Sequence, residues 1–530
     1  MKAAKTESRD WDVVVVGGAL AGASTALILR RARPGLRVLV LEKSTRFTRR
    51  VGEATVEISG FFLGRVLGLT RHLNEHHLVK QGMRFWFAND RTANLGDCGE
   101  IGARYQARLP AYQLDRSVLD DEVLATAAAA GVQVLRGAKV RAVRLQSGAE
   151  QEVDFEQDSM ARTVRARWVV DASGFTALLS RQEGWLRLNA AHPTSAVWAR
   201  WRGVADLDGL DLAAKYPKWA AASYGIRGTA TNHLMGDGWW AWLIPLKGGD
   251  TSVGLVYDQR HVQFPKEGAL GDRLKQFLCR HPVGRELLAD ANWVEHDVLA
   301  RSNLPFSSDR YFGDGFALVG DAGAFLDPFY SPGMDWLSFT VTAATQVILK
   351  ERGGESPTPQ IERFNRDFTR AYDRWFTAIY RDKYDYLGDY ELMRTVFRLD
   401  LGLYYLGIVS QPFKRGAAAL SEPVFCTPPS VPVFHLIRTY NRRMAAIARS
   451  RRARGTFGSR NHGERFLMSG FTLEPSSGLG VLKAMAGWLR LELTEGWRTW
   501  GRTERRSDKS TASKPDPSPH CSPAQLRVEP

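Results

Sequence analysis

The chain has 530 residues, 44% hydrophobic and 24% charged, with a formal net charge of +15. This length suits several domains or one large enzyme body, and the composition excludes disordered, collagenous and disulfide-scaffold classes. No apolar run is long enough to span a bilayer; the best, T-V-F-R-L-D-L-G-L-Y-Y-L-G-I-V, is broken by Arg398 and Asp400.

The first predicted element is the strand V-V-V-V at 13–16, a β-branched run of the kind buried on both faces of a parallel sheet. A helix follows from about Gly22, and the strand L-R-V-L-V-L-E ends at Glu42, which completes a βαβ unit. Between them stands Gly17-Gly18-Ala19-Leu20-Ala21-Gly22, a dinucleotide fingerprint with alanine where the middle glycine is usual. Such a turn brings backbone and a helix N-terminus to a pyrophosphate, and Glu42, about twenty residues on, takes ribose hydroxyls. A helix over 117–130 leads to the strand V-Q-V-L-R, and A-R-W-V-V-D-A ends a further strand at Asp171. The stretch 185–300 is rich in Trp and Tyr and predicts strands, among them G-W-W-A-W-L-I-P and T-S-V-G-L-V-Y. Alternation places Trp240 and Trp242 on one face and Trp239 on the other. The nucleotide-binding pattern resumes at 315–325 and runs into a helix near 336–351, and 360–415 reads as helical.

Three further segments move the reading from NAD to FAD. Arg116 precedes a helix and can reach flavin or phosphate. V-V-D-A-S-G ends a strand at Asp171, and L-V-G-D-A-G places Gly320 and Asp321 at another strand end, where a carboxylate can hold the ribityl chain. Together, and in this order, they resemble the FAD-dependent aromatic hydroxylase superfamily over about the first 350 residues. Within it, Trp240 to Pro245 resemble the W-x-W-x-I-P signature of flavin-dependent halogenases (tryptophan halogenase-like). V-G-E-A-T-V at 51–56 resembles their G-E-S/A-T-x-P segment, without its proline, and V-K-Q-G-M-R-F at 79–85 their lysine segment, which maps the active-site lysine to Lys80. D-P-F-Y-S-P-G at 327–333 resembles their flavin-side loop D-P-F-F-S-S/T-G.

The resemblance implies a fold class, α/β: a Rossmann-like FAD-binding domain of the aromatic-hydroxylase type, an inserted β-rich substrate domain and a helical C-terminal region. The expected boundaries are 1–85 with 105–180 and 300–355 for the FAD domain, 86–104 with 181–299 for the substrate domain, 356–501 for the helices and 502–530 for a disordered tail. The expected cofactor residues are Gly17, Gly18, Ala19, Leu20, Ala21, Gly22, Glu42, Arg116, Asp171, Gly320, Asp321, Pro328, Gly333 and Met334. Lys80 and Ser331 are the expected catalytic residues, and Trp240, Trp242 and Phe329 the expected substrate wall; no metal is expected.

The chemistry implied is activation of O₂ by reduced FAD, oxidation of halide, and delivery of the halogen by the lysine to an electron-rich substrate, aromatic or carrier-tethered, of secondary metabolism. One departure cuts against it. The family's halide sits against two loop amides, here Pro332 and Gly333, and proline has no N–H. The loop continues Met334-Asp335, closer to flavin hydroxylases and epoxidases, so a halide-free monooxygenase is the alternative and an isoprenoid reductase ranks third. No second nucleotide fingerprint is visible, so NAD(P)H acts transiently or through a partner flavin reductase.

The four cysteines form no C-x-x-C pair, and M-K-A-A-K-T-E-S-R-D carries no apolar leader, which predicts a cytoplasmic protein. Much of the positive charge crowds into Arg438, Arg442, Arg443, Arg449, Arg451, Arg452, Arg454 and Arg460. With Trp488, Trp497, Trp500, Arg490 and Arg498 it marks an expected docking region for an acyl or peptidyl carrier protein or a membrane surface, and no nucleic-acid motif accompanies it.

Overall fold

The structure is a computed structural model and describes residues 10–500 apart from 224, 475 and 476. The expected tail at 502–530 lies outside the described residues.

The opening strand, Asp10–Val16, is central to the first sheet. Val13 and Val15 enter one apolar cluster and Val14 and Val16 another, so both faces are buried. It pairs in parallel with Val38–Glu42 on one side and Met160–Asp171 on the other. The order continues outward to Gln133–Arg136 and to Phe316–Leu318 and Phe312–Gly313, and the hairpin Lys139–Arg144/Gln151–Gln157 folds onto Met160–Asp171. Successive connections leave the central strand in opposite directions, which opens a crevice at the carboxyl ends Val16, Glu42, Asp171 and Leu318.

The second sheet has nine strands, including Met83–Phe87, Thr194–Arg202, Thr231–Gly236, Trp239–Pro245 and Thr251–Asp258. It takes Met83–Phe87 whole, so the expected boundary at 85 cuts a strand. Helices also interrupt this region, at Leu210–Lys215, Leu270–Leu278 and Pro282–Leu287.

Long helices, Thr358–Trp375, Tyr390–Tyr404, Ser430–Ala453 and Ser477–Thr494, build the C-terminal region. It is not purely helical. Arg465–Met468 returns to the second sheet in parallel with Gly99–Ala103, and Arg465 joins Arg84 and Arg227 around the fully buried Glu100. Two like-charged guanidiniums buried there need that carboxylate, which explains the return. Six of the eight crowded arginines also pair with carboxylates. Arg443, Arg449, Arg451, Arg452, Arg454 and Arg460 pair with Glu492, Asp385, Asp389, Asp237, Glu495 and Glu391. Most of the late charge therefore ties helices to the body. No helix among the described residues is long and apolar enough to cross a membrane.

Candidate active site

The crevice is a backbone device. Gly17 has φ +98°, and a Cβ on Gly22 would lie 1.9 Å from the Gly17 carbonyl oxygen, so helix and strand pack as only glycine allows. Ala19 occupies the N-cap of Leu20–Ala32 without a side-chain cap, and the first turn carries no acid. The positive end of this helix is open to an anion. Glu42 accepts the Gly18 amide at 2.7 Å and the Ser44 amide at 2.8 Å, which fixes its carboxylate at the strand end. Across the crevice, burial pushes Asp321 up to about 6 against the pull of Arg116 and Arg301. Arg116 is itself braced by two hydrogen bonds to Asp120, at 3.0 and 3.1 Å. Gly320 has φ +58° and gives its amide to Thr340, 2.9 Å away. An open helix end, a glycine cradle and a carboxylate at each strand end fit FAD, with the pyrophosphate on the helix and sugar or ribityl hydroxyls on Glu42 and Asp321.

A strap carries the lysine to this crevice. Residues 53–56 run beside Tyr112–Gln113: the Leu114 amide meets Glu53 oxygen at 2.7 Å and the Thr55 amide meets Tyr112 oxygen at 2.9 Å. Tyr112–Gln113 pairs in turn with Leu78–Val79, so Lys80 emerges next to Thr55. Its ammonium is 2% exposed and donates to the Thr55 carbonyl at 2.8 Å. Burial draws it down to about 8, against the opposite pull of Glu57 and Asp335. The strap's far end is clamped by Glu53, which takes Arg200 through two bonds of 3.0 and 2.8 Å, while Arg200 also reaches Asp115 at 2.7 Å.

The loop 327–333 is shaped from outside. Asp327 is fully buried, accepts the Phe329 amide at 2.9 Å, and meets His192 and the Tyr384 hydroxyl, each at 3.1 Å. Tyr330 (φ +68°) and Ser331 (φ +56°) are consecutive left-handed residues, an arrangement that persists only when surroundings impose it. Pro332 then sits at the N-cap of Gly333–Glu351, where its missing N–H costs the helix nothing. A Cβ on Gly333 would meet nothing within 4 Å, so this helix end also faces open space. Asp335, one residue beyond the buried Met334, is an acid of the first turn, 1% exposed. It accepts the Ser59 amide at 3.1 Å and the Tyr404 hydroxyl at 2.8 Å, and burial pushes it up to about 7. Glu57 accepts the Tyr405 hydroxyl at 2.5 Å.

Two cavities meet here. The larger, about 620 Å³, is mostly apolar and lies between Tyr330, Pro332 and Asp335 on one side and Trp375, Phe397 and Tyr404 on the other. The smaller, about 70 Å³, contains Lys80. Val56, Glu57, Met83, Phe397 and Leu401 line both.

The structure places several of the expected site residues away from both cavities. Trp240, Trp242 and Phe329 are 2%, 5% and 0% exposed and line neither cavity. They form a packed core behind the loop, with Trp240 5.1 Å from Phe329 and its indole N–H on the Tyr384 hydroxyl at 2.9 Å. The alternation itself holds, since Trp239 packs in a separate cluster. Asp171 accepts the Ser173 and Leu179 amides on its two carboxylate oxygens, at 2.9 and 2.8 Å, and so shapes the turn at its strand end. Ser331 donates its amide to the Pro328 carbonyl at 3.0 Å and lines neither cavity. Sequence reasoning missed Arg200, Tyr404 and Glu57 as site residues. Only Glu57 carried a signal, as the residue replacing the proline of the family's strap segment.

The comparisons agree with this geometry. The family described as FAD binding domain matches residues 10–200. The flavin-dependent halogenase chlA of Dictyostelium discoideum is 26% identical over 374 residues, 64% of this chain and 60% of the relative. The flavin-dependent halogenase armH3 of Armillaria mellea is 26% identical over 72% of this chain and 75% of its own length. The chain thus carries an FAD binding domain and is similar, over about two thirds of its length, to flavin-dependent halogenases. Among solved structures, halogenase PltM in complex with phloroglucinol and FAD superposes with a TM-score of 0.68 at 19% identity, covering 92% of this chain and 99% of that one. This shares the fold of an FAD-dependent oxidoreductase.

Proposed function

We propose that the chain is an FAD-dependent halogenase of an electron-rich, apolar small molecule, with Lys80 as the residue that delivers the halogen. One observation carries the reading: a buried ammonium lines a chamber of about 70 Å³ that shares a wall with a cavity of about 620 Å³. The small chamber holds a few water-sized molecules, enough for hypohalous acid and too little for an aromatic substrate. The large one suits a drug-sized, mainly hydrophobic ligand.

Reduced FAD, when bound, supplies two electrons and two protons, so that O₂, halide and one further proton yield hypohalous acid and water. Lys80 holds that acid by an N–H···O bond taken from the Thr55 carbonyl and polarises it toward the shared wall. The substrate carbon displaces the halogen from oxygen, its C–H proton leaves, and a second water forms. A carboxylate must take that proton nearby, and Asp335 and Glu57 border the cavity. In this reading a partner flavin reductase supplies the reduced cofactor.

Pro332 favours the second reading, a monooxygenase without halide. One amide fewer at the helix end weakens an anion site by about 1.5–3 kcal/mol, roughly ten- to a hundredfold. Pro332→Thr therefore lowers the halide concentration for half-maximal rate by at least about tenfold if halide binds there. The deciding experiment supplies the protein with FAD, a flavin reductase, NADH and a panel of phenols, with and without bromide. Bromide-dependent product with the bromine isotope pattern supports halogenation. Oxygen insertion independent of bromide overturns it.

A further inference from the structure

The helix Ser477–Thr494 and the turn Gly496–Thr499 present two unlike faces. Val481, Ala484 and Leu491 are buried against the body, and a Cβ on Gly402 would lie 2.5 Å from Val481, so the helix rests on Tyr390–Tyr404. Both acids of this stretch turn inward. Glu492 accepts Arg443 at 2.8 and 2.7 Å and the indole N–H groups of Trp488 and Trp500 at 3.1 and 3.0 Å. Glu495 accepts Arg451 and Arg454, each at 3.1 Å.

The outward face is a different material. Leu479, Leu482, Leu489 and Leu493 are 62%, 62%, 58% and 62% exposed. With Ala486 their three- and four-residue spacing sets them on one stripe. Trp497 and Trp500, also more than half exposed, continue beyond the helix end. These are six of the fifteen large apolar side chains left exposed among the described residues. Lys483, Arg490 and Arg498 are exposed beside them, and no exposed Asp or Glu occurs between 479 and 500. Arg438 and Arg442 are exposed on the neighbouring helix Ser430–Ala453, whose Tyr440 ring lies 6.0 Å from Trp488.

We propose that this face docks on an anionic lipid bilayer, with the leucine stripe and the two tryptophans in the headgroup boundary and the basic side chains on lipid phosphates. Charge complementarity selects the occupant: a leucine stripe edged by cations and emptied of carboxylates is the pattern of a helix lying in a membrane interface, and tryptophan favours the headgroup level. The helix beneath it carries Phe397, Leu401 and Tyr404 of the large cavity, so docking sets that cavity next to the membrane. The inference stands whether or not the site halogenates.

The test is flotation of the full-length, FAD-loaded protein with vesicles of phosphatidylcholine alone or mixed with phosphatidylglycerol. Co-flotation with the anionic vesicles is expected. Leu482→Asp with Leu489→Asp lowers the apparent affinity at least about tenfold, since each leucine forfeits its burial. Lys483→Glu with Arg490→Glu and Arg498→Glu removes the preference for anionic over neutral vesicles. Leu210→Ser, at an exposed leucine elsewhere on the surface, leaves binding unchanged. Each variant keeps the flavin absorbance and melting temperature of the parent, because the substituted side chains face solvent. Failure to float with anionic vesicles, or flotation indifferent to both sets, overturns the proposal. So does capture of an acidic acyl carrier protein that the leucine variants abolish while vesicles are ignored.

Discussion

The cofactor crevice and the large cavity are opposite kinds of construction. The crevice is made of backbone: glycine turns, strand ends and two open helix N-termini contributed by segments near 17–22 and 320–334. The cavity is made of side chains from four separated stretches, near 56, 83, 330–339 and 375–437. A backbone site tolerates almost no change at its glycines, whereas a side-chain site keeps its walls under many substitutions and changes what it admits. In the proposed reading, chemistry is held constant by the first and selectivity is set by the second.

Lys80 stands where the two meet, and its loss gives the largest expected effect. Lys80→Ala lowers product formation by about a thousandfold, in the range found for a positioned proton donor, while flavin absorbance per protein stays the same. If FAD content falls with it, the lysine belongs to the crevice and the comparison fails. Gly22→Ala is the reciprocal case. Its Cβ collides with the Gly17 carbonyl, so FAD binding weakens about ten- to a hundredfold by overpacking, measured by flavin titration.

Asp335 sharpens the contrast through pH. Its folded value is raised to about 7, as is that of Glu53. The folded protein therefore keeps two protons that the unfolded chain has already released. The stability they contribute is full below about pH 4 and is lost as pH rises toward 7. Asp335→Asn removes its share, so melting temperature measured from pH 5 to 8 falls less steeply, by a few degrees. The smallest effect is expected at Trp240. As a core residue behind the loop, Trp240→Phe changes turnover less than about threefold and costs a few degrees of melting temperature. A changed product pattern would return it to the substrate wall.

The same division explains what the sequence disclosed. The crevice was legible because backbone chemistry writes itself in glycines at fixed spacing: Gly17, Gly22 and Glu42 were expected and stand at the crevice. Lys80 was legible through the flanking segment, although its neighbour Thr55 was not, since that contact depends on the pairing of 53–56 with Tyr112–Gln113. The cavity was not legible. Phe397, Leu401 and Tyr404 lie on an amphipathic helix, and a pattern of period 3.6 announces burial without saying whether the buried face meets a core or a void. For Trp240 and Trp242 alternation gave the face, but not that this face meets Phe329 and Tyr384. In the arginine-rich stretch the pairing of six side chains was illegible, because charge counted along a chain carries no record of the carboxylates that fold back onto it.

The seven residues from Asp327 to Gly333 take their shape from His192 and Tyr384, both distant in the chain, through the carboxylate of Asp327. For an engineer this sets the size of the exchangeable part. A relative's loop grafted here without those two partners would arrive as the right letters in the wrong conformation, and the transplant that works carries its moorings with it.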